Sequence, residues 1–192
     1  MQKIKYPDGR ADNTFSKQAH LDSSNIGLDF EEEVIQSCNY YKEIDKALIY
    51  KRPTPTKIIK KVNEKHFVGS FVEKSTTDFV GVYKGKYIDF ECKRTLNEYF
   101  LVNQIKEHQI NHLLKVAELG GLSFILLEMS YQEKIYLIPS DVLKIAVEEK
   151  TTRFTIEFLD RYAVEVKQKI NPRVDFLSAV DSAFNVWFLR SW

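Results

Sequence analysis

The stretch from Thr76-Thr-Asp78 to Glu91-Cys-Lys93 gathers carboxylates and a lysine within an alternating apolar pattern. Residues 78–83 and 86–93 read as two strands joined at Lys84-Gly85. Strand side chains alternate between faces. Tyr87, Asp89, Glu91 and Lys93 therefore share one face, and Ile88, Phe90 and Cys92 share the other. The apolar set belongs to a core, and the polar set presents two carboxylates and an ammonium. A two-residue turn at Lys84-Gly85 pairs Tyr83 with Lys86 and, counted outward, sets Asp78 directly across from Glu91. Opposed Cβ atoms on adjacent strands lie about 4.5–5.5 Å apart. Two carboxylates that close repel unless one takes a proton or a cation bridges them. Mg2+ accepts two such oxygen ligands together with water and a substrate phosphate. Lys93, two residues beyond Glu91, reaches the same spot. A metal that polarises a phosphate and activates water, with a lysine beside it, is an apparatus for phosphodiester hydrolysis. Solvated charges on an exposed strand are the competing reading. The acid spacing, the Glu-x-Lys and the hairpin register agree on the functional one.

The elements that must hold these residues are legible around them. Phe30, Val34, Cys38 and Tyr41 recur at helical steps and predict a helix over residues 28–43, which Ser24 or Asn25 could cap. Ala47-Leu-Ile-Tyr50 reads as a short strand. In Arg52-Pro-Thr-Pro-Thr56 two prolines hold the backbone extended. Residues 57–74 then alternate basic and apolar groups, which predicts a protruding ribbon. A helix is expected over 103–119, ended by Gly120-Gly121, then a buried strand at Leu122–Met129 and another at Lys134–Ile138. A helix follows at 140–150, a strand-rich region at 153–170, and a C-terminal amphipathic helix with Phe176, Leu177, Val180, Phe184 and Trp187. This order is a mixed α/β layout around a central sheet.

The chain has 192 residues and a mass of 22.5 kDa, with 44% hydrophobic and 29% charged residues. That predicts one domain with a real core, residues 1–192, preceded by a polar arm over 1–24 and interrupted by a ribbon over 53–75. There is no apolar run of membrane-spanning length and no signal-type stretch at the start, so no membrane is expected. Two cysteines, Cys38 and Cys92, are too few for a disulfide framework and fall on apolar faces as inert core thiols. A cytoplasmic protein is the expectation. Net charge is +1, but it is patterned. Lys51, Arg52, Lys57, Lys60, Lys61 and Lys65 face one acid, Glu64, within residues 51–65. Asp29 to Glu33 holds four acids and no base. Six positive charges beside prolines suit phosphate contact, against a merely solvated surface.

These residues also resemble a family. Asp78, twelve intervening residues and Glu91-Cys-Lys93 are similar to the D…(D/E)xK signature of restriction-endonuclease-like nucleases. The chain as a whole resembles the RecU-type Holliday-junction resolvases. The similarity runs through Tyr6-Pro-Asp-Gly9, Gly27-Leu-Asp-Phe-Glu31, Lys51-Arg-Pro-Thr-Pro55, Thr76-Thr-Asp78, Val82 to Glu91, His108-Gln109 and Pro172-Arg-Val-Asp175. It departs at Ile26, where the family usually has Arg, and at Cys92, where it usually has Ala, and residues 182–192 lie beyond the quoted similarity.

The resemblance implies a restriction-endonuclease-like core, a mixed central sheet flanked by helices with a protruding basic β-ribbon stalk. It implies that Asp78 and Glu91 hold Mg2+, with Mn2+ as a substitute, and that Thr77 sits beside the metal or phosphate. Lys93 would position the attacking water or offset transition-state charge. Glu31 would be the helix-borne glutamate and Gln109 an active-site support. Taken alone, Glu31 flanks a buried stripe and reads equally as a solvated glutamate, and Thr77 reads as an ordinary strand threonine. The ribbon would be a stalk entering the junction centre. Arg10 and its basic neighbours in the N-terminal arm would add DNA contacts if the arm is ordered.

Other motifs are poor. Gly81-Val-Tyr-Lys-Gly-Lys-Tyr87 is one residue short of a phosphate loop and ends in Tyr. His108 and His112 stand four apart, but no Glu follows His108, so a zinc-protease reading fails and a helix surface is expected. The expected function is an Mg2+-dependent endonuclease that resolves four-way DNA junctions by paired symmetric nicks in recombination and repair, leaving 5′-phosphate ends. The symmetry of the junction calls for a C2 homodimer. A RecA-type recombinase is a further partner and the nucleoid-associated cytoplasm the location. The rivals are a restriction or repair nuclease on the same core and a non-catalytic junction-binding or recombinase-modulating protein.

Overall fold

The computed structural model describes residues 23–64, 66–71 and 76–188. Helix α1 (Ser23–Glu43) begins earlier than the predicted residue 28. Its Phe30, Val34, Cys38 and Tyr41 are all buried, the stripe by which a helix docks on a sheet. Strand β1 (Ala47–Lys51) follows. The Pro-Thr-Pro stretch then leads into a separate two-stranded ribbon, β2 (Thr56–Lys61) and β3 (Phe67–Phe71), in which every residue of β2 is exposed. Strands β4 (Phe79–Tyr83) and β5 (Lys86–Thr95) form the predicted hairpin. Lys84 and Gly85 both have positive φ, 48° and 73°. This is the mirror-image turn whose twist suits two strands, and it fixes the register from Tyr83↔Lys86 to Phe79↔Phe90.

Strand β6 (Tyr99–Leu101) precedes one 3-10 turn at Val102–Gln104 and helix α2 (Glu107–Glu118). The helix starts later than the predicted residue 103 because Val102–Gln104 takes the tighter turn. Strand β7 (Leu122–Met129) lies parallel to β5, with α2 as the crossover. Strand β8 (Lys134–Pro139) and helix α3 (Ser140–Glu148) follow. The region predicted as strand-rich holds β9 (Arg153–Thr155), helix α4 (Ile156–Tyr162) and β10 (Val164–Val166). The helix is a correction. Thr155 caps it by accepting from the Phe158 N–H, and that outweighs the strand preference of its aromatic residues. Helix α5 (Phe176–Phe188) ends the described chain.

The central sheet runs β1-β4-β5-β7-β8-β10, and β6-β9 is a small separate pair. One face packs on α1 and α5. There the rings of Phe79, Phe90 and Phe124 stack across β4, β5 and β7 at centroid spacings of 5.0 and 4.7 Å. The other face packs Ile125, Leu127, Tyr136 and Ile138 against Leu113, Val142, Leu143, Phe154 and Leu159 from α2, α3, β9 and α4. The result is a mixed sheet flanked by helices on both faces, with a separate basic two-stranded ribbon. Gly81 is obligatory: a Cβ there would sit 2.1 Å from the Leu48 carbonyl oxygen, so only glycine lets β1 approach β4 this closely. Among the described residues no helix is long and apolar enough to cross a membrane.

Candidate active site

Period-two alternation puts Asp89, Glu91 and Lys93 on the sheet face that α2 covers, and the turn register brings Asp78 to Glu91. Asp78 immediately precedes the Phe79↔Phe90 pair and Glu91 immediately follows it. The charge of Asp78 reaches the Glu91 carboxylate. Asp78 is anchored twice. Its Oδ2 accepts from the Cys92 N–H at 2.9 Å, and its carbonyl accepts from the Arg52 N–H at 2.7 Å.

Glu91 is 2% exposed. Its Oε1 accepts from Lys93 Nζ at 2.5 Å and from Gln109 Nε2 at 2.6 Å. Its Oε2 is buried with no hydrogen-bond partner. Burial, then the Asp78 charge, pushes the Glu91 carboxyl from the ordinary 4.5 up to about 7, against the pull of Lys93 and Gln109. Asp78 is also raised, by burial first and then by the Glu31 charge, while the Cys92 N–H and Lys93 oppose. An orphaned carboxylate oxygen beside a second, charge-frustrated carboxylate fits a divalent cation, because a cation removes both penalties at once. Among the described residues no group of three His, Cys, Asp or Glu side chains could hold a metal ion. Two carboxylates alone would leave most positions around a hard cation to water and substrate oxygens.

Gln109 occupies the third position of α2. Its oxygen accepts from the Lys106 N–H at 3.1 Å, capping the helix, while its NH2 group faces Glu91. Glu31, on α1, pairs with Lys51 at the end of β1, and its charge reaches Asp78. The Lys51 ammonium is raised chiefly by that bond. Thus Asp78, Glu91, Lys93 and Gln109 come together, and Glu31 borders them through Lys51. The Thr77 hydroxyl donates to Asp89 Oδ1. Lys57, Lys60 and Lys61 lie exposed along β2, away from the carboxylates in sequence and sheet. Lys65 and Arg10 fall outside the described residues.

Sequence reasoning missed Asp89 and His112. Asp89 is fully buried and takes Arg52 Nη2 at 2.5 Å, the Tyr87 hydroxyl at 2.9 Å, His112 Nε2 at 2.9 Å and the Thr77 hydroxyl. Asp89 shares the alternation that singled out Glu91, so its place on the active face was visible. Its partners, from three distant segments, were not. His112 lies on the sheet-facing side of α2 rather than on the open helix surface.

Known proteins are similar to this chain along most of its length. The family model described as RecU, recombination protein U, matches residues 25–182. The Holliday junction resolvase RecU of Geobacillus sp. (strain WCH70) is 32% identical over 94% of this chain and 98% of its own length. That of Geobacillus kaustophilus is 33% identical over 97% and 99%. The structure of Hjc from Archaeoglobus fulgidus, a Holliday junction resolvase, overlaps at a TM-score of 0.45 and 12% identity, over 70% of this chain and 93% of that one. With most of its length matched by the family model and by full-length relatives, the chain belongs to the recombination protein U family.

Proposed function

We propose that this protein is a divalent-metal-dependent endonuclease that resolves four-way DNA junctions. The observation that carries the reading is the unpartnered, buried Oε2 of Glu91 beside Asp78, with a lysine on the same carboxylate. Asp78 and Glu91 would hold Mg2+, or Mn2+ in its place. The bound cation supplies Lewis-acid polarisation of the scissile phosphate and its attacking water.

The chain's own groups account for the remaining work. The Cys92 N–H holds the Asp78 carboxylate in place, and Gln109 holds Glu91, so neither has to reorganise when a phosphodiester arrives. Lys93, with its ammonium on Glu91, sits where it can offset negative charge growing on the phosphate and orient the attacking water. Glu31 and Lys51 form a charged rim on the α1 side. Thr77 contributes beside Asp78, with its hydroxyl committed to Asp89. The exposed Lys57, Lys60 and Lys61, with Lys51, Lys65 and Arg10, would contact backbone phosphates. Such contacts set affinity and placement without reading sequence, which suits selection by DNA shape. Hydrolysis would leave 5′-phosphate and 3′-hydroxyl ends.

Two opposed strands of a two-fold symmetric junction need two sites, which a C2 homodimer supplies. The cytoplasmic location and a RecA-type recombinase partner rest on family membership alone. The test is to incubate the protein with a labelled four-way junction and with linear duplex of the same sequence, with Mg2+ or with chelator. The reading requires paired nicks in the junction only, and only with metal. Equal cutting of linear duplex would indicate a restriction or repair nuclease. Tight junction binding with no metal-dependent nick would indicate a binding protein.

A further inference from the structure

Asp89 is a second buried carboxylate on the active face, two residues before Glu91, and nothing in the hydrolytic scheme uses it. We propose that Asp89 is the positioning residue of the active site, and that Arg52 is its latch rather than a contact to DNA. The proposal rests on the endonuclease reading and deepens it.

The argument is one of connectivity. Asp89 binds four donors, and three come from segments that carry a piece of the site. Thr77 is the residue before Asp78 and donates to Oδ1. His112 stands three residues after Gln109, nearly one turn along α2, with its Nε2 2.9 Å from Oδ2. Arg52, at the root of the basic ribbon, reaches Oδ2 with Nη2 at 2.5 Å while its backbone N–H holds the Asp78 carbonyl at 2.7 Å. The fourth donor, the Tyr87 hydroxyl, comes from β5 itself and also approaches Arg52. One carboxylate thus ties the strand bearing Glu91 to the segment bearing Asp78, to the helix bearing Gln109, and to the root of the ribbon.

A fully buried carboxylate needs donors on its oxygens, so its network holds one arrangement and resists others. A supporting shell of this kind sets how closely the ligand carboxylates converge. Arg52 is poorly placed for phosphate. Its side chain is 24% exposed, its Nε is buried and unpartnered, and Nη2 is spent on Asp89 and Tyr87. Lys57, Lys60 and Lys61 are open by comparison.

Asp89→Asn, Arg52→Ala, His112→Ala and the double variant Arg52→Ala/Asp89→Asn are compared with the unaltered protein in two assays. The first measures the junction-nicking rate at saturating protein, and junction affinity in chelator. Each single variant should lose roughly 10–100-fold in saturating rate while affinity stays within about 2-fold. The double variant should fall no further than the worse single one, because the two residues act as a unit. The second assay follows thermal melting against Mg2+ concentration. The Mg2+ midpoint should move several-fold upward in each single variant, which a general loss of packing would not produce.

Should Asp89→Asn not melt cooperatively, Arg52→Ala and His112→Ala decide the matter. The proposal is overturned if Arg52→Ala weakens junction binding several-fold and flattens its salt dependence with the saturating rate intact. It is equally overturned if the single variants nick and respond to Mg2+ as the unaltered protein does. If the unaltered protein neither nicks junctions nor responds to Mg2+, the endonuclease reading itself fails.

Discussion

Gln109 Nε2 donates to Glu91 Oε1 at 2.6 Å, while the other end of the same amide caps helix α2 by accepting from the Lys106 N–H. The helix therefore starts where its first-turn amide can also steady the Glu91 carboxylate. Gln109→Ala should slow junction nicking roughly 10–100-fold, as loss of a ligand's supporting hydrogen bond does. It should also lower stability by about 0.5–2 kcal/mol through the lost cap. Single-turnover rates and thermal melts read the two effects separately. An unchanged rate with a lowered melting temperature would reduce Gln109 to a cap.

The raised Glu91 carboxyl makes the metal-free protein sensitive to pH. The fold prefers the protonated group, so this contribution is fully present below about pH 4.5 and is lost as pH rises through about 7. Glu91→Gln removes the titration. In chelator at pH 8 the variant should be more stable than the unaltered protein by roughly 1–3 kcal/mol, with the gap closing toward pH 5. Added Mg2+ should narrow the gap at pH 8 by stabilising only the unaltered protein. Denaturant melts at several pH values measure this. A gap that does not vary with pH would show that Glu91 does not carry the frustrated charge.

The hairpin that brings Asp78 to Glu91 and Lys93 was legible in the sequence because two local rules fix it. Alternation assigns faces and a two-residue turn assigns register, so Asp78, Glu91 and Lys93 could be brought together from spacing alone. The helical stripe of Phe30, Val34, Cys38 and Tyr41 was legible for the same reason. The network around Asp89 was not. Its bonds to Arg52, Thr77 and His112 span 37, 12 and 23 residues and leave no periodic trace. Helix α4 was hidden by its own composition. In Ile156-Glu-Phe-Leu-Asp-Arg-Tyr162 an isoleucine and two aromatics favour strand, and the signal for helix is the single cap from Thr155.

The ribbon carries a prediction of its own. Reversing Lys57, Lys60 and Lys61 to Glu should weaken junction binding. It should also reduce the slope of log affinity against log salt, by roughly 0.9 for each phosphate that is no longer neutralised. Fluorescence anisotropy at several salt concentrations reads the slope. Equal affinity at every salt concentration would remove these lysines from the DNA interface.

Phe90 lies at the centre of the ring stack, between Phe79 and Phe124, and immediately precedes Glu91. Phe90→Ala should cost about 3–5 kcal/mol. A smaller loss in denaturant melts would mean that the rings collapse into the gap.

The pairing of Asp78 with Glu91 is tested most directly by Asp78→Asn on a labelled four-way junction with Mg2+. The variant keeps the side-chain oxygen that accepts from Cys92 N–H and removes the charge, so it should bind the junction as the unaltered protein does and leave it uncut. Nicking at the unaltered rate would contradict the account.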